Sequence, residues 1–189
     1  MILASASPRR RRLLGEAGFV FEIVAPAITE IFPATLTVGE ITCWNALRKG
    51  LAVARTHSHA VVLAADTLVA VDSEIIGKPA DLADARRILA RLSGREHTVS
   101  TGVSLGCLTT GKTETFTVSS QVLFKKWNAS QIEDYLRKVE PLDKAGAYAA
   151  QGKGSAIIAR IIGSRSNVIG LPMEKVTPAL ARFGVTPNA

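Results

Sequence analysis

An acidic side chain interrupts what is otherwise a buried strand: Asp66 stands inside AVVLAADTLVAV, residues 60–71. A carboxylate there must be hydrogen-bonded, paired with a cation, bound to a metal ion or opened to solvent at a cleft. A local bond between Asp66 and the Thr67 hydroxyl is the conservative alternative. A second group of residues suits anions. In LASASPRRRRLL, Ser7 reads as a helix N-cap and Pro8 as the first helical residue. Arg9, Arg10, Arg11 and Arg12 then crowd the end where the helix dipole is already positive, each unfavourable by about 0.3–1 kcal/mol. A bound phosphate would remove that cost, because free N–H groups, the Ser5 or Ser7 hydroxyl and two guanidinium forks could converge on it. Successive helical positions lie about 100° apart, so two of the four arginines can face one ligand. The plainer alternative is a solvated basic turn with Arg12 paired to Glu16 at i,i+4.

Two loops add polar groups. GKP, residues 77–79, follows a strand and carries Lys78 between Gly77 and Pro79. DKAGAYAAQGKG, residues 143–154, alternates Asp143, Lys144, Tyr148, Gln151 and Lys153 with small residues. Small residues let a ligand approach the backbone, which favours a functional loop over a linker. Cys43 and Cys107 have no CxxC or zinc-like spacing and are expected as reduced thiols. His57, His59 and His97 show no ligand spacing either and are expected at the surface or internally bonded.

The net charge of +7 over 189 residues favours an anionic partner. Outside the arginine run the basic residues are scattered. With aromatics at 5% they form no stacking track for single-stranded nucleic acid, so a small-molecule anion fits better than a nucleic acid. Hydrophobic content of 47% with 21% charged residues is that of a globular protein, and residues 1–189 suit one domain. No apolar run approaches the ~18 residues of a membrane span, and no apolar h-region backs the early arginines. The expectation is a cytoplasmic protein with no membrane partner.

The elements that must position these groups follow from periodicity. Residues 1–4 and 19–25 read as strands around the arginine-bearing helix, with a Pro-punctuated loop over 26–36. Thr37 and Glu40 form a capping box for a helix to about Arg55, with Ile41, Trp44, Leu47, Leu51 and Ala54 facing inward. The run 60–71 is a central strand, paired with 74–76 across an Asp72-Ser73 turn. Asp81 caps a helix that buries Leu82, Ala85, Leu89 and Leu92 and stops at Gly94. Residues 97–110 and 113–124 form a long hairpin. Ser130 and Glu133 suggest another capping box, for a helix that stops near Pro141. Residues 155–162 are a further strand, and Pro172 opens a last helix that ends near Gly184. The class is α/β with a mixed sheet.

LASASPRRRRLL, ADT, GKP, LSGREHTVSTGVSL, EPLDKAGAYAAQG and SNVIGLP occur in the order and spacing of the Maf family of nucleoside triphosphate pyrophosphatases. The chain resembles that family along essentially its whole length. The resemblance implies an inosine-triphosphatase-like fold: an elongated mixed sheet flanked by helices, with two lobes around a central cleft. It also implies hydrolysis of a nucleoside triphosphate to monophosphate and pyrophosphate, dependent on Mg²⁺ or Mn²⁺, as a housekeeping activity of a homodimer. Ser7, Arg9 and Arg10 match the family's SPRR phosphate site, and the resemblance implies Ser5, Thr67 and Gln151 as substrate-binding residues with them. Glu30 falls on the acidic residue after the second strand, Lys49 on the helix lysine, Asp66 on the catalytic aspartate, Lys78 on the lysine of GKP and Gln151 on the glutamine of QG. The resemblance thus implies Asp66, Lys78 and Lys49 as catalytic groups and Glu30 with Asp66 as metal ligands.

The combination of ADT with DKAGAY and QG is similar to members acting on dTTP and UTP. A related subgroup with SDQ and EG prefers 7-methyl-GTP. Three positions depart from the pattern: Arg48-Lys49-Gly50 replaces Glu-Lys-Ala, Arg165 replaces a tyrosine, and Ala150 replaces a larger aliphatic residue. They bear on base preference rather than on the chemistry. Two other classes stay open at this point. A non-catalytic nucleotide sensor or division regulator would release no pyrophosphate, and a nucleic-acid-binding module would show salt-steep affinity.

Overall fold

The computed structural model describes residues 1–72 and 74–188. The apolar run forms β3 (Val62–Val71), in which every residue but Thr67 is buried. Burial on both faces is why the run reads as continuously apolar. The other strands are β1 (Ile2–Leu3), β2 (Glu22–Ile23), β4 (Glu74–Ile76), β5 (Glu96–Cys107), β6 (Lys112–Phe124) and β7 (Ile158–Ile162). Among the described residues these seven make one sheet in the order β2-β1-β3-β5-β6-β7, with β4 also on β3. β1 runs parallel to β2 and β3; the remaining pairs are antiparallel. The fold is therefore mixed α/β.

The helices are α1 (Pro8–Glu16), α2 (Val38–Ala54), α3 (Leu82–Leu92), α4 (Ala129–Leu136), α5 (Arg165–Ile169) and α6 (Met173–Arg182). Strand alternation divides the apolar residues between two layers. Leu3 and Leu63 join a large core with Leu14, Leu89, Leu92, Phe124 and Leu180. Ile2, Val62 and Ala64 face the other way, against Val53 and Ala54 of α2. Ser7 caps α1 by accepting from the Arg10 N–H, and the Thr37/Glu40 capping box of α2 is formed as expected.

Several elements differ from expectation. The strand sought at 19–25 is confined to Glu22–Ile23, because its parallel partner β1 has two residues before the chain turns off toward α1. The second capping box is Asn128 with Gln131, not Ser130 with Glu133. Glu133 turns outward to pair with Arg86, and α4 ends at Leu136, short of Pro141. The strand expected over 155–162 begins at Ile158, preceded by a 3₁₀ segment at Gly152–Ile157. Helix α5, N-capped by Ser164, was not anticipated. Leu82 is exposed at the start of α3, and Ile88 takes its place in the core. The Asp72-Ser73 turn includes Ser73, which lies outside the described residues.

The inward face of α2 keeps Ile41 and Ala54 at its two ends, as expected, but differs between them. Trp44 and Leu51 are exposed, whereas Thr42, Asn45, Ala46 and Gly50 are buried. Polar and small residues share the sheet-facing stripe with Ile41, Val53 and Ala54, so apolar periodicity alone misplaces its middle. That shift is local to the site.

Candidate functional site

Helix α2 rides on β5 at a glycine. A Cβ added to Gly102 would lie 2.2 Å from the Thr42 carbonyl carbon and 2.3 Å from the Cys43 nitrogen. Gly102 is the register partner of Asp66 on β3, so this close helix–sheet approach falls one strand away from that carboxylate. This approach brings Asn45 and Lys49, one turn apart on α2, down onto it.

Lys49 Nζ donates to Asp66 Oδ1 at 2.6 Å and to Glu30 Oε1 at 2.6 Å. Asn45 Nδ2 lies 3.4 Å from Asp66 Oδ2. The same amide donates to the Ile31 carbonyl and accepts the Ile31 N–H, each at 3.0 Å. Asn45 thereby holds the loop that carries Glu30. Asp66 is 3% exposed, so of the fates open to a carboxylate in a strand, pairing with a cation at a cleft is the one realised. The local Asp66–Thr67 bond is not made among the described residues.

Burial raises the Asp66 pKa, as does the charge of Glu30; the hydrogen bond and charge of Lys49 and the charge of Arg10 oppose the rise without cancelling it. At Glu30 burial also pushes upward, but the Lys49 hydrogen bond and charge, then Lys78, outweigh it and hold the pKa below the ordinary value. The two carboxylates are thus shifted in opposite directions.

The arginine run is resolved residue by residue. Arg10 spans three partners: Nε to the Gly170 carbonyl at 2.8 Å, one terminal nitrogen to Ser5 Oγ at 3.2 Å, the other to Thr67 Oγ1 at 3.0 Å. Burial, followed by the charge of Arg9, lowers its pKa to about 10 despite opposing help from Asp66 and Glu30. Arg9 pairs with Asp143 at 2.9 Å. Arg12 pairs with Glu16 at 2.6 Å, as the plainer alternative had it, and Arg11 is exposed. Two guanidiniums of four therefore face the site.

A cavity of about 690 Å³ gathers these groups. Ser5, Ser7, Arg9 and Arg10 line it from the α1 end; Asp66 and Thr67 come from β3, Lys49 from α2 and Glu30 from the preceding loop. Lys78 and Gln151 line it from their loops, and neither has a side-chain partner among the described residues. Arg9, Arg10, Lys49, Lys78 and Lys144 set five cations against the carboxylates of Glu30, Asp66 and Asp143, which suits a polyanion. Among the described residues no three His, Cys, Asp or Glu side chains cluster as a metal cage. Glu30 and Asp66 still offer the hard oxygen donors that a small divalent cation takes alongside substrate phosphates.

Sequence reasoning missed Asn45 and the chain behind Thr67, where Thr67 Oγ1 meets Thr101 Oγ1 at 3.0 Å and Thr101 donates to the Asn167 carbonyl at 3.1 Å. Asn45 stands four residues before Lys49, and that spacing on one helical face could have found it. Among the described residues no helix is long and apolar enough to cross a membrane. Cys43 and Cys107 are free thiols. His57 and His59 bond to Thr56 and Thr109, and His97 bonds to Tyr148.

Residues 1–183 match the family model described as Maf-like protein. The chain is 43% identical over 182 residues to a Bacillus cytotoxicus protein named dTTP/UTP pyrophosphatase, covering 96% of this chain and 94% of that one. Proteins of the same name from Bacillus cereus and Bacillus pumilus are 42% and 41% identical, over 98% and 99% of this chain and 90% and 98% of theirs. The solved structure of the Staphylococcus aureus Ham1 protein is similar over 83% of this chain and 78% of that one, with a TM-score of 0.48 and 15% identity.

Proposed function

The chain belongs to the Maf family, and from that premise we propose that it hydrolyses dTTP and UTP at the α–β phosphoanhydride, releasing the monophosphate and pyrophosphate. The observation that carries this is the Lys49 ammonium held between Glu30 and Asp66 in a cavity that also gathers Arg9, Arg10 and Lys78. Phosphoryl transfer asks a protein mainly to position groups and to neutralise charge, and the lining residues are of the kinds that do so.

In this mechanism Ser5, Ser7, Arg9 and Arg10 seat the phosphates at the start of α1. Lys78 approaches from the opposite loop and Thr67 fixes the Arg10 fork. Asp66 orients the attacking water and takes its proton as the oxygen adds at phosphorus. The anhydride bond breaks, and its electron pair leaves with pyrophosphate. Lys49 keeps Glu30 and Asp66 together and stabilises their charges. Gln151 can donate and accept at once, as reading a pyrimidine edge requires. Glu30 and Asp66 would hold Mg²⁺ or Mn²⁺, which when bound supplies charge neutralisation on the phosphate oxygens.

The proposal extends to a single catalytic domain with two lobes about the cleft in the inosine-triphosphatase manner. It further includes a homodimer, acting on free nucleotides in the cytoplasm and not on nucleic acid or at a membrane. A panel of nucleoside triphosphates assayed with Mg²⁺ for pyrophosphate and orthophosphate tests it. Pyrophosphate released fastest from dTTP and UTP is expected; orthophosphate alone, or no turnover, would overturn it.

A further inference from the structure

The loop that carries Gln151 is fastened from behind, by residues that do not line the cavity. The Tyr135 hydroxyl on α4 accepts the Ala149 N–H at 3.2 Å and donates to the Gly154 carbonyl at 3.0 Å. One phenol oxygen therefore closes segment 149–154 across its two ends, with Gln151 between them. The ends also touch directly: a Cβ on Gly154 would lie 2.5 Å from the Ala149 Cβ. The smallness of Gly154 thus serves contact within the loop, not approach of a ligand. From α5, Arg165 donates to the Ala150 carbonyl, the residue before Gln151, at 3.3 Å.

Tyr135 is buried, packed edge-on against Trp127 with centroids 5.5 Å apart, so its hydroxyl is held by its own surroundings. A side-chain amide reads a base edge only when its backbone stands at a fixed distance and direction from that edge, since a displaced loop carries donor and acceptor out of reach together. Fixing the loop in advance supplies that constraint.

We propose that Tyr135 and Arg165 are positioning residues for base selection, holding segment 149–154 so that Gln151 stands at one fixed place against the nucleobase. The inference rests on the pyrophosphatase function above.

Tyr135→Phe removes the hydroxyl and keeps the ring; Arg165→Ala removes an exposed side chain. Pyrophosphate release from dTTP and from dGTP gives the base preference of each protein. Competitive inhibition by inorganic triphosphate reports the phosphate seat alone. In Tyr135→Phe the preference for dTTP over dGTP falls about five- to tenfold, through KM for dTTP rather than kcat, and in Arg165→Ala about threefold. Triphosphate inhibition stays within about twofold. An unchanged preference, or an equal loss for both nucleotides, overturns the proposal, because loss of structure alone would not discriminate between bases. Should Tyr135→Phe fail to fold, Arg165→Ala decides by the same ratio. Wild-type protein releasing no pyrophosphate would remove the function and this inference together; normal turnover with unaltered selectivity in the variants removes the inference alone.

Discussion

Asp66 and Gly102 face each other across the β3–β5 ladder, and the backbone of α2 at Thr42 and Cys43 lies directly over Gly102. The depth at which Lys49 meets Asp66 is therefore set by the absence of a side chain on the neighbouring strand. Gly102→Ala must push α2 outward. We expect a loss of about 1–3 kcal/mol in urea unfolding and a fall in kcat/KM of roughly tenfold or more, since small misplacements of reacting groups are costly. Gly15→Ala is the control: nothing lies within 4 Å of an added Cβ there, and the helix should gain about 0.5–1 kcal/mol.

Lys49→Met leaves two carboxylates without the cation between them. Breaking such a pair by removing one partner costs about 3 kcal/mol. The loss should be larger at pH 8 than at pH 5, because protonation of one carboxylate relieves the repulsion. Denaturant midpoints at the two pH values measure it, and equal losses would contradict the bridging role.

How much of this was legible beforehand differs from residue to residue. Asp66 announced itself because a carboxylate inside a ten-residue buried strand needs a partner. Ser7-Pro8 and the Thr37/Glu40 box were readable because capping is local chemistry. The middle of the α2 face was not, because Asn45 and Lys49 turn polar atoms toward the sheet to meet Asp66, and hydrophobic periodicity assumes the opposite. The Arg9–Asp143 and Arg10–Gly170 contacts join residues 134 and 160 positions apart, beyond the reach of any local pattern. The second capping box slipped by two residues because Asn128-x-x-Gln131 and Ser130-x-x-Glu133 are equally good local candidates. Glu133 was drawn away by Arg86 of a different helix.

His97 gives a pH signature. Burial lowers its pKa from 6.5 to about 4. The ring sits against Phe124 and Tyr148, with Nδ1 unpaired among the described residues. The unfolded chain takes up the proton first as pH falls. Stability from this group is therefore complete above pH 6.5, declines as pH falls toward 4 and then levels off, by about 3 kcal/mol in all. Urea midpoints across that range should fall more steeply for wild type than for His97→Gln. Parallel curves would show that the imidazole is not held neutral.

Arg10 illustrates why arginine and lysine differ here. Its guanidinium reaches Gly170, Ser5 and Thr67 at once, a fork that an ammonium cannot span. Arg10→Ala should raise KM for triphosphates more than it weakens monophosphate binding, and Arg10→Lys should fail to restore it. Steady-state kinetics with dTTP beside dTMP inhibition separates the two effects. Full recovery in the lysine variant would show that charge alone suffices.

We propose that Asp66, buried beneath Lys49, moves the proton of the attacking water. Asp66→Asn keeps the size of the side chain and removes the base. Pyrophosphate release from dTTP, measured beside equilibrium nucleotide binding, should fall by at least about 10²-fold while the dissociation constant changes little. Turnover near the wild-type rate in that variant would show that Asp66 is not the base.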